Sequence, residues 1–133
     1  MKNTLTKILF SFFLVLTVGL IFVPGNLSNK ADAASCSTGL LCFYQDINYG
    51  GNGYVTVPTV GVCNTLPSSW NNVISSIQNG TSHDIKIYDG ATCNNATGTI
   101  FASTIYPDLR QYCTDSFCLT GTWNDRISSW KAL

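Results

Sequence analysis

Two stretches of this sequence set oxygen donors at matching positions. Trp70-Asn71-Asn72-Val73-Ile74-Ser75-Ser76 and Trp123-Asn124-Asp125-Arg126-Ile127-Ser128-Ser129 lie 53 residues apart and agree at five of seven positions. Asn and Asp side chains, Ser hydroxyls and main-chain carbonyls make an all-oxygen donor set, which suits a hard cation. Calcium is the natural candidate, because it accepts about six to eight oxygens in loose geometry. Few of these donors are charged, so the expected affinity is modest, in the micromolar-to-millimolar range of extracellular modules. A single such stretch reads more readily as a turn whose Asn and Ser side chains cap backbone groups. Two copies with the same Trp, Ile and Ser shift the balance toward a metal, although the spacing is not that of an EF-hand loop. Ile74 and Ile127 would turn into the core and anchor each loop.

The composition removes other chemistries. The chain has no glutamate and one histidine, His83. That excludes a zinc site with several His ligands and any Glu-based acid/base pair. Ser82, His83 and Asp84 are adjacent, and adjacent residues cannot form a catalytic triad. His83 reads as a surface residue, and the chain as no enzyme. Seven basic and seven acidic residues give a net charge of zero, with only 11% of residues charged. A nucleic-acid protein would carry a basic face instead. Trp70, Trp123 and Trp130 read as core packing rather than as membrane or cell-wall contacts.

The start of the chain is of a different kind. Lys2 and Lys7 precede an almost wholly apolar run from Ile8 to Val23, followed by Pro24-Gly25, polar residues and Ala31-Asp32-Ala33. These are the three parts of a secretory signal, with cleavage expected between Ala33 and Ala34. The rival, a membrane anchor, needs about 20 apolar residues and a basic stop. Residues 34–133 would then be the exported domain, with four cations against six aspartates and a net charge of −2. No membrane contact is expected once the leader is removed, and a monomer is expected.

All six cysteines (Cys36, Cys42, Cys63, Cys93, Cys113 and Cys118) follow the expected cleavage point. An even set in a small exported domain reads as three disulfides, for which about fifteen pairings exist. Short loops favour Cys36–Cys42 and Cys113–Cys118, which leaves Cys63–Cys93. There is no CxxC pair for zinc.

The elements that must position the repeated stretches read as strands. Short runs at 41–44, 53–57, 73–77, 85–88, 99–102 and 127–130 are punctuated by Gly, Pro and Asn turns. Many short strands at such spacing point to a sandwich or barrel. A short helical turn is expected near Pro107-Asp108-Leu109-Arg110. Ile87-Tyr88-Asp89 echoes Phe43-Tyr44-Gln45-Asp46, so the internal repeat extends beyond the two heptads. Two related β-motifs in one domain are expected, over about 40–80 and 84–133.

The two heptads resemble the N/D-N/D-x-x-S/T-S calcium motif of the βγ-crystallin superfamily. Tyr44-x4-Tyr49-x-Gly51 is similar to its Y/F-x4-Y/F-x-G hairpin signature. The opening Cys36-Ser-Thr-Gly39-Leu-Leu-Cys42-Phe-Tyr44 and the closing heptad look most like peptidase inhibitor family I36, the Streptomyces metalloproteinase inhibitor-like branch. The resemblance implies an all-β fold in which two Greek keys form a single, disulfide-bonded sandwich. It implies two calcium sites. In each, a Ser donates its hydroxyl (Ser75, Ser128), the third motif residue its carbonyl (Val73, Arg126), and an Asn or Asp crosses from the other motif (Asn72, Asp125). Hairpin carbonyls near Gln45-Asp46 and Asp89 would complete the shells. The second copy departs from the hairpin signature: Cys93 stands at the place of Tyr49, and the Gly is missing. That departure predicts a hairpin reshaped by a disulfide and bears on the site that uses it.

Two functions follow from the resemblance: a secreted calcium-binding module stabilised by its ligand, or an inhibitor of extracellular proteases, metalloproteases included. An inhibitor needs a rigid exposed loop. Val57–Leu66 around Cys63 and Thr92–Thr99 around Cys93 are the expected candidates.

Overall fold

The computed structural model describes residues 36–133, so the leader read at 1–33 lies outside the described residues. Eight strands run in the order β1 (Leu41–Tyr44), β2 (Gly53–Thr56), β3 (Cys63–Thr65), β4 (Ser76–Asn79), β5 (Ile85–Tyr88), β6 (Thr97–Ile100), β7 (Thr104–Tyr106) and β8 (Ser129–Ala132). Single 3-10 turns follow β1, at Ile47–Tyr49, and β7, at Leu109–Gln111. The second is the helical turn expected near Pro107. Asp108 caps it by accepting the Arg110 amide. Among the described residues, no helix is long and apolar enough to cross a membrane.

The strands form two antiparallel four-stranded sheets, ordered β2-β1-β4-β7 and β6-β5-β8-β3. The second order is the first with each strand replaced by its counterpart in the other half. The two halves are therefore two Greek keys related by an approximate two-fold axis, and each lends its third strand to the other's sheet. Register obeys the same relation. Tyr44 faces Ser76 across β1 and β4, and Tyr88 faces Ser129 across β5 and β8.

Alternation along the strands fills the space between the sheets. Leu41, Phe43 and Ile77 face Ile85, Ile87, Trp130 and Ala132 in one cluster, closed at its ends by Ile74, Ile127, Leu109 and Trp123. Phe43 and Trp130 meet across the sandwich with ring centroids 6.2 Å apart. β1 is buried on both faces. On its outer face Cys42 is bridged to Cys36 and the Tyr44 ring is covered edge-on by Tyr49, centroids 5.6 Å apart. Among the buried polar side chains, Asn79 donates to the carbonyls of His83 and Phe101 and accepts from the amide and hydroxyl of Thr81. It stitches the linker between the halves to the turn after β6.

The bridges are Cys36–Cys42, Cys63–Cys93 and Cys113–Cys118, the set that short loops favour. Several strand positions differ from expectation. The runs expected at 73–77 and 127–130 begin pairing only at Ser76 and Ser129, because the preceding residues leave the ladder to shape loops. The run expected at 99–102 is shifted to Thr97–Ile100, where Gly98 opposite Ile87 makes room for the Trp123 ring. β3 and β7, three residues each, had no clear apolar run to announce them.

Candidate metal centre

The two repeated stretches cross over each other beneath the sheet ends. The amide of Asn72 donates to the Ile127 carbonyl at 3.1 Å, and that of Asp125 to the Ile74 carbonyl at 3.0 Å. Asn72 and Asp125 both have left-handed backbone, with φ of 57° and 55°. Asn and Asp enter that region more readily than other side chains. The turn they make aims each side chain at the opposite motif. The Ser75 hydroxyl reaches Asp125 Oδ1 at 3.4 Å and the Ser128 hydroxyl reaches Asn72 Oδ1 at 3.1 Å. Ser75 and Ser128 are buried, while Asn72 and Asp125 are exposed, so each pair joins a buried hydroxyl to a side chain at the surface.

The hairpins that border these pairs are built alike. Ser75 and Ser128 donate their amides to the carbonyls of Tyr44 and Tyr88, both at 2.9 Å, which places Gln45 and Asp89 beside the two motifs. The next serines are used differently. Ser76 Oγ donates to the Asp46 carbonyl at 2.6 Å and accepts the Tyr49 amide at 3.0 Å. Ser129 Oγ donates to the Gly90 carbonyl and accepts the Cys93 amide at 3.0 Å. Buried and satisfied, Ser76 and Ser129 clamp the hairpins and take no part in the crossed pairs. The doubled Ser in each heptad was the available clue to this second role.

The second hairpin keeps the hydrogen-bond frame of the first but not its 3-10 turn or the left-handed backbone at Asn48. Asp89 and Gly90 bond to Ala96 and Asn94 as Gln45 and Asp46 bond to Asn52 and Gly50. Cys93, with φ of 54°, follows Tyr49 at 62°, and Asn95, at 65°, takes the place of Gly51 at 70°. Asn enters the left-handed region with little penalty, so the missing Gly costs the hairpin nothing it needs. Gly90 is the residue this hairpin cannot vary, because a Cβ there would collide with Asn94. The Cys63 bridge holds the hairpin to β3 from outside.

Charge separates the two pairs. Asp125 brings a carboxylate to Ser75, with its Oδ2 accepting the Asn124 side-chain amide at 2.7 Å. That bond fixes the amide's orientation and leaves Asn124 Oδ1 buried without a donor. Asn72 brings only a neutral amide to Ser128. Nearby, Arg126 neutralises Asp89 in an ion pair of 2.5 Å and also donates to the Thr120 carbonyl. Among the described residues, no three carboxylate, His or Cys side chains converge on one point. A cation held here would thus meet at most one carboxylate, that of Asp125, and would otherwise rely on hydroxyl, amide and main-chain oxygens. The geometry fits one. Two oxygens each about 2.4 Å from a calcium ion and at roughly right angles lie about 3.4 Å apart, close to the spacing of both crossed pairs.

Folds of this kind are known. The chain superimposes on a double mutant of a βγ-crystallin domain from Clostridium beijerinckii with a TM-score of 0.52 at 24% identity, covering 71% of this chain and 97% of that one. A βγ-crystallin from Ciona intestinalis matches with a TM-score of 0.53 at 20% identity, covering 71% and 100%. The βγ-crystallin domain of Abundant Perithecial Protein from Neurospora crassa, solved in its calcium-bound form, matches with a TM-score of 0.53 at 19% identity, covering 74% and 92%. The architecture is the βγ-crystallin fold. Residues 29–103 match the model of peptidase inhibitor family I36, and the chain belongs to that family. These are an inhibitor family and crystallin domains, not catalytic families. No curated protein matches the chain.

Proposed function

We propose that the crossed motifs bind calcium and that the ion stabilises the fold. The observation that carries this reading is the reciprocal crossing, Ser75 with Asp125 and Ser128 with Asn72, at spacings two ligands of one ion adopt. One site would take the Ser75 hydroxyl, the Asp125 side chain and the carbonyls of Val73 and Gln45. The other would take the Ser128 hydroxyl, the Asn72 side chain and the carbonyls of Arg126 and Asp89. Binding to the folded state alone stabilises it by mass action, about 1.4 kcal/mol per site at a tenfold excess over Kd. In a domain of this size that raises Tm by roughly 5–10 °C. The test is calorimetric calcium titration with thermal melts in calcium and in chelator. Heat and a shift are expected, both abolished in Ser75→Ala/Ser128→Ala. A flat titration with coincident melts would falsify the reading.

Membership of an inhibitor family favours a second reading: inhibition of extracellular proteases. Export fits both readings. The three disulfides need an oxidising compartment, and residues 1–33 have the parts of a leader. The corresponding assay is the disulfide-bonded protein against a panel of secreted endopeptidases. If none is slowed at micromolar excess, this reading fails.

A further inference from the structure

We propose that the loop from Cys113 to Thr122 is the element that enters a peptidase cleft, offering Phe117 and Leu119 to an endopeptidase whose specificity pocket takes a large apolar side chain. The proposal rests on the inhibitor reading and names its contact surface. The matched family segment ends at residue 103, so family membership does not assign this loop.

Exposure is the first argument. Leu119 is 84% and Phe117 81% exposed, more than any other large hydrophobic residue among those described. Neither packs against the core cluster. Aromatic residues are enriched where protein surfaces meet, and two apolar side chains flanking one disulfide need a reason to stay in water.

Rigidity is the second. The loop's base is closed by a bridge between Cys113 and Thr122 and by the Trp123 amide donating to Tyr112. Across its middle run the Cys113–Cys118 disulfide and the Thr114 amide bonded to the Gly121 carbonyl. Inside, the Asp115 carboxylate accepts the amides of Phe117, Leu119 and Thr120 at 2.8, 3.1 and 2.7 Å, and the Thr120 hydroxyl at 2.5 Å. Both apolar residues thus have their backbone amides held by one side chain. Arg126 ties the loop to the second hairpin through the Thr120 carbonyl and Asp89. A segment ordered before it binds loses little entropy on binding, which is what a tight inhibitor requires.

The two loops expected from sequence have less to offer. Val57, Val60 and Val62 are exposed, but their segment lies along the edge of β8 through the Val60–Ala132 bridge and the Gly61 amide. The segment Thr92–Thr99 carries no exposed large hydrophobic side chain.

The experiment measures inhibition of chymotrypsin, subtilisin and thermolysin, which accept large apolar side chains, with trypsin as the basic-specificity control. At least one of the first three should be inhibited and trypsin spared. Phe117→Ala/Leu119→Ala should weaken that inhibition by about thirtyfold or more, the loss of a central anchor. Its melting temperature should not change, since neither side chain is packed. Asp115→Ala should weaken inhibition with both apolar residues still present. Full inhibition by the double variant overturns the loop assignment and leaves the inhibitor reading standing. Inhibition of trypsin alone overturns the apolar specificity. Wild-type protein that inhibits none of the four overturns both the loop and the inhibitor reading.

Discussion

Asn72 and Asp125 occupy the same place in the two halves of the sandwich. Each is left-handed, each donates its amide to the isoleucine carbonyl of the other motif, and each aims its side chain at the other motif's serine. They differ by one charge, and on the calcium reading proposed above that difference would make the two sites unequal. Ligand charge count tunes calcium affinity. Asn72→Asp should tighten the weaker site on the order of tenfold, and Asp125→Asn should weaken the stronger one by a similar factor. Calcium titrations of the two variants check this. Equal, unchanged affinities in both would show that neither side chain is a ligand.

Gly98 lies under Trp123. A Cβ there would sit 2.8 Å from the indole ring, inside any normal contact. The ring is buried in the core cluster, so the added methyl must push it out of its packed position, toward the cleft it borders with Ile100 and Tyr106. Gly98→Ala should therefore destabilise the domain by about 1–3 kcal/mol, the usual cost of overpacking. Chemical denaturation would report it as a lower midpoint at unchanged slope.

The disulfides should contribute unequally. Cys63–Cys93 spans 30 residues and Cys36–Cys42 spans 6. On the chain-entropy account, removal of the first by paired Cys→Ala substitution costs about 3.6 kcal/mol and of the second about 2.2 kcal/mol. Denaturation of the two double variants orders them. The reverse order would mean that native-state packing around the shorter bridge outweighs loop closure.

Hydrogen bonds from Thr120, Phe117 and Leu119 hold the Asp115 carboxyl well below its ordinary value of 3.8. A depressed value in the folded state means that the carboxylate form orders the loop. That contribution is complete above about pH 4–5 and is lost as the pH falls through the folded value. Amide protection at Phe117, Leu119 and Thr120 should thus be flat from neutral pH to about pH 5 and fall in strong acid. Asp115→Asn should lower it at all pH values. Protection that persists in the variant would place the loop's rigidity in its disulfide alone.

Sequence patterning showed much of this fold and less of its details. β1 and β5 were legible to the residue because alternating apolar runs with a shared Tyr mark them. The heptad repeat pointed to the crossed pairs, since the same Asn/Asp and Ser positions recur in both copies. β3 and β7 were hidden because three-residue strands take their order from neighbouring strands rather than from their own pattern. Cys93 at the place of Tyr49 and the missing glycine predict a reshaped second hairpin; its 3-10 turn is lost, but its hydrogen-bond frame is kept. Its backbone needed only a left-handed residue, and Asn95 serves. The loop at 113–122 gave no warning beyond its cysteine pair. Its order comes from one aspartate side chain bonded to three amides, a pattern without a periodic signature.

Exchange of the third strands has a kinetic consequence. Cys63 pairs with Lys131 and Ile77 with Tyr106, so each sheet waits for chain that is made late. Until β7 and β8 arrive, one sheet lacks its edge and the other a central strand. Closing such long loops precedes any reward from burial, which places folding among the slow, non-local β topologies, in milliseconds to seconds. A chain exported N-terminus first would carry its exposed strands until the last residues cleared the membrane, and its disulfides would be the means of holding it to the right partners meanwhile.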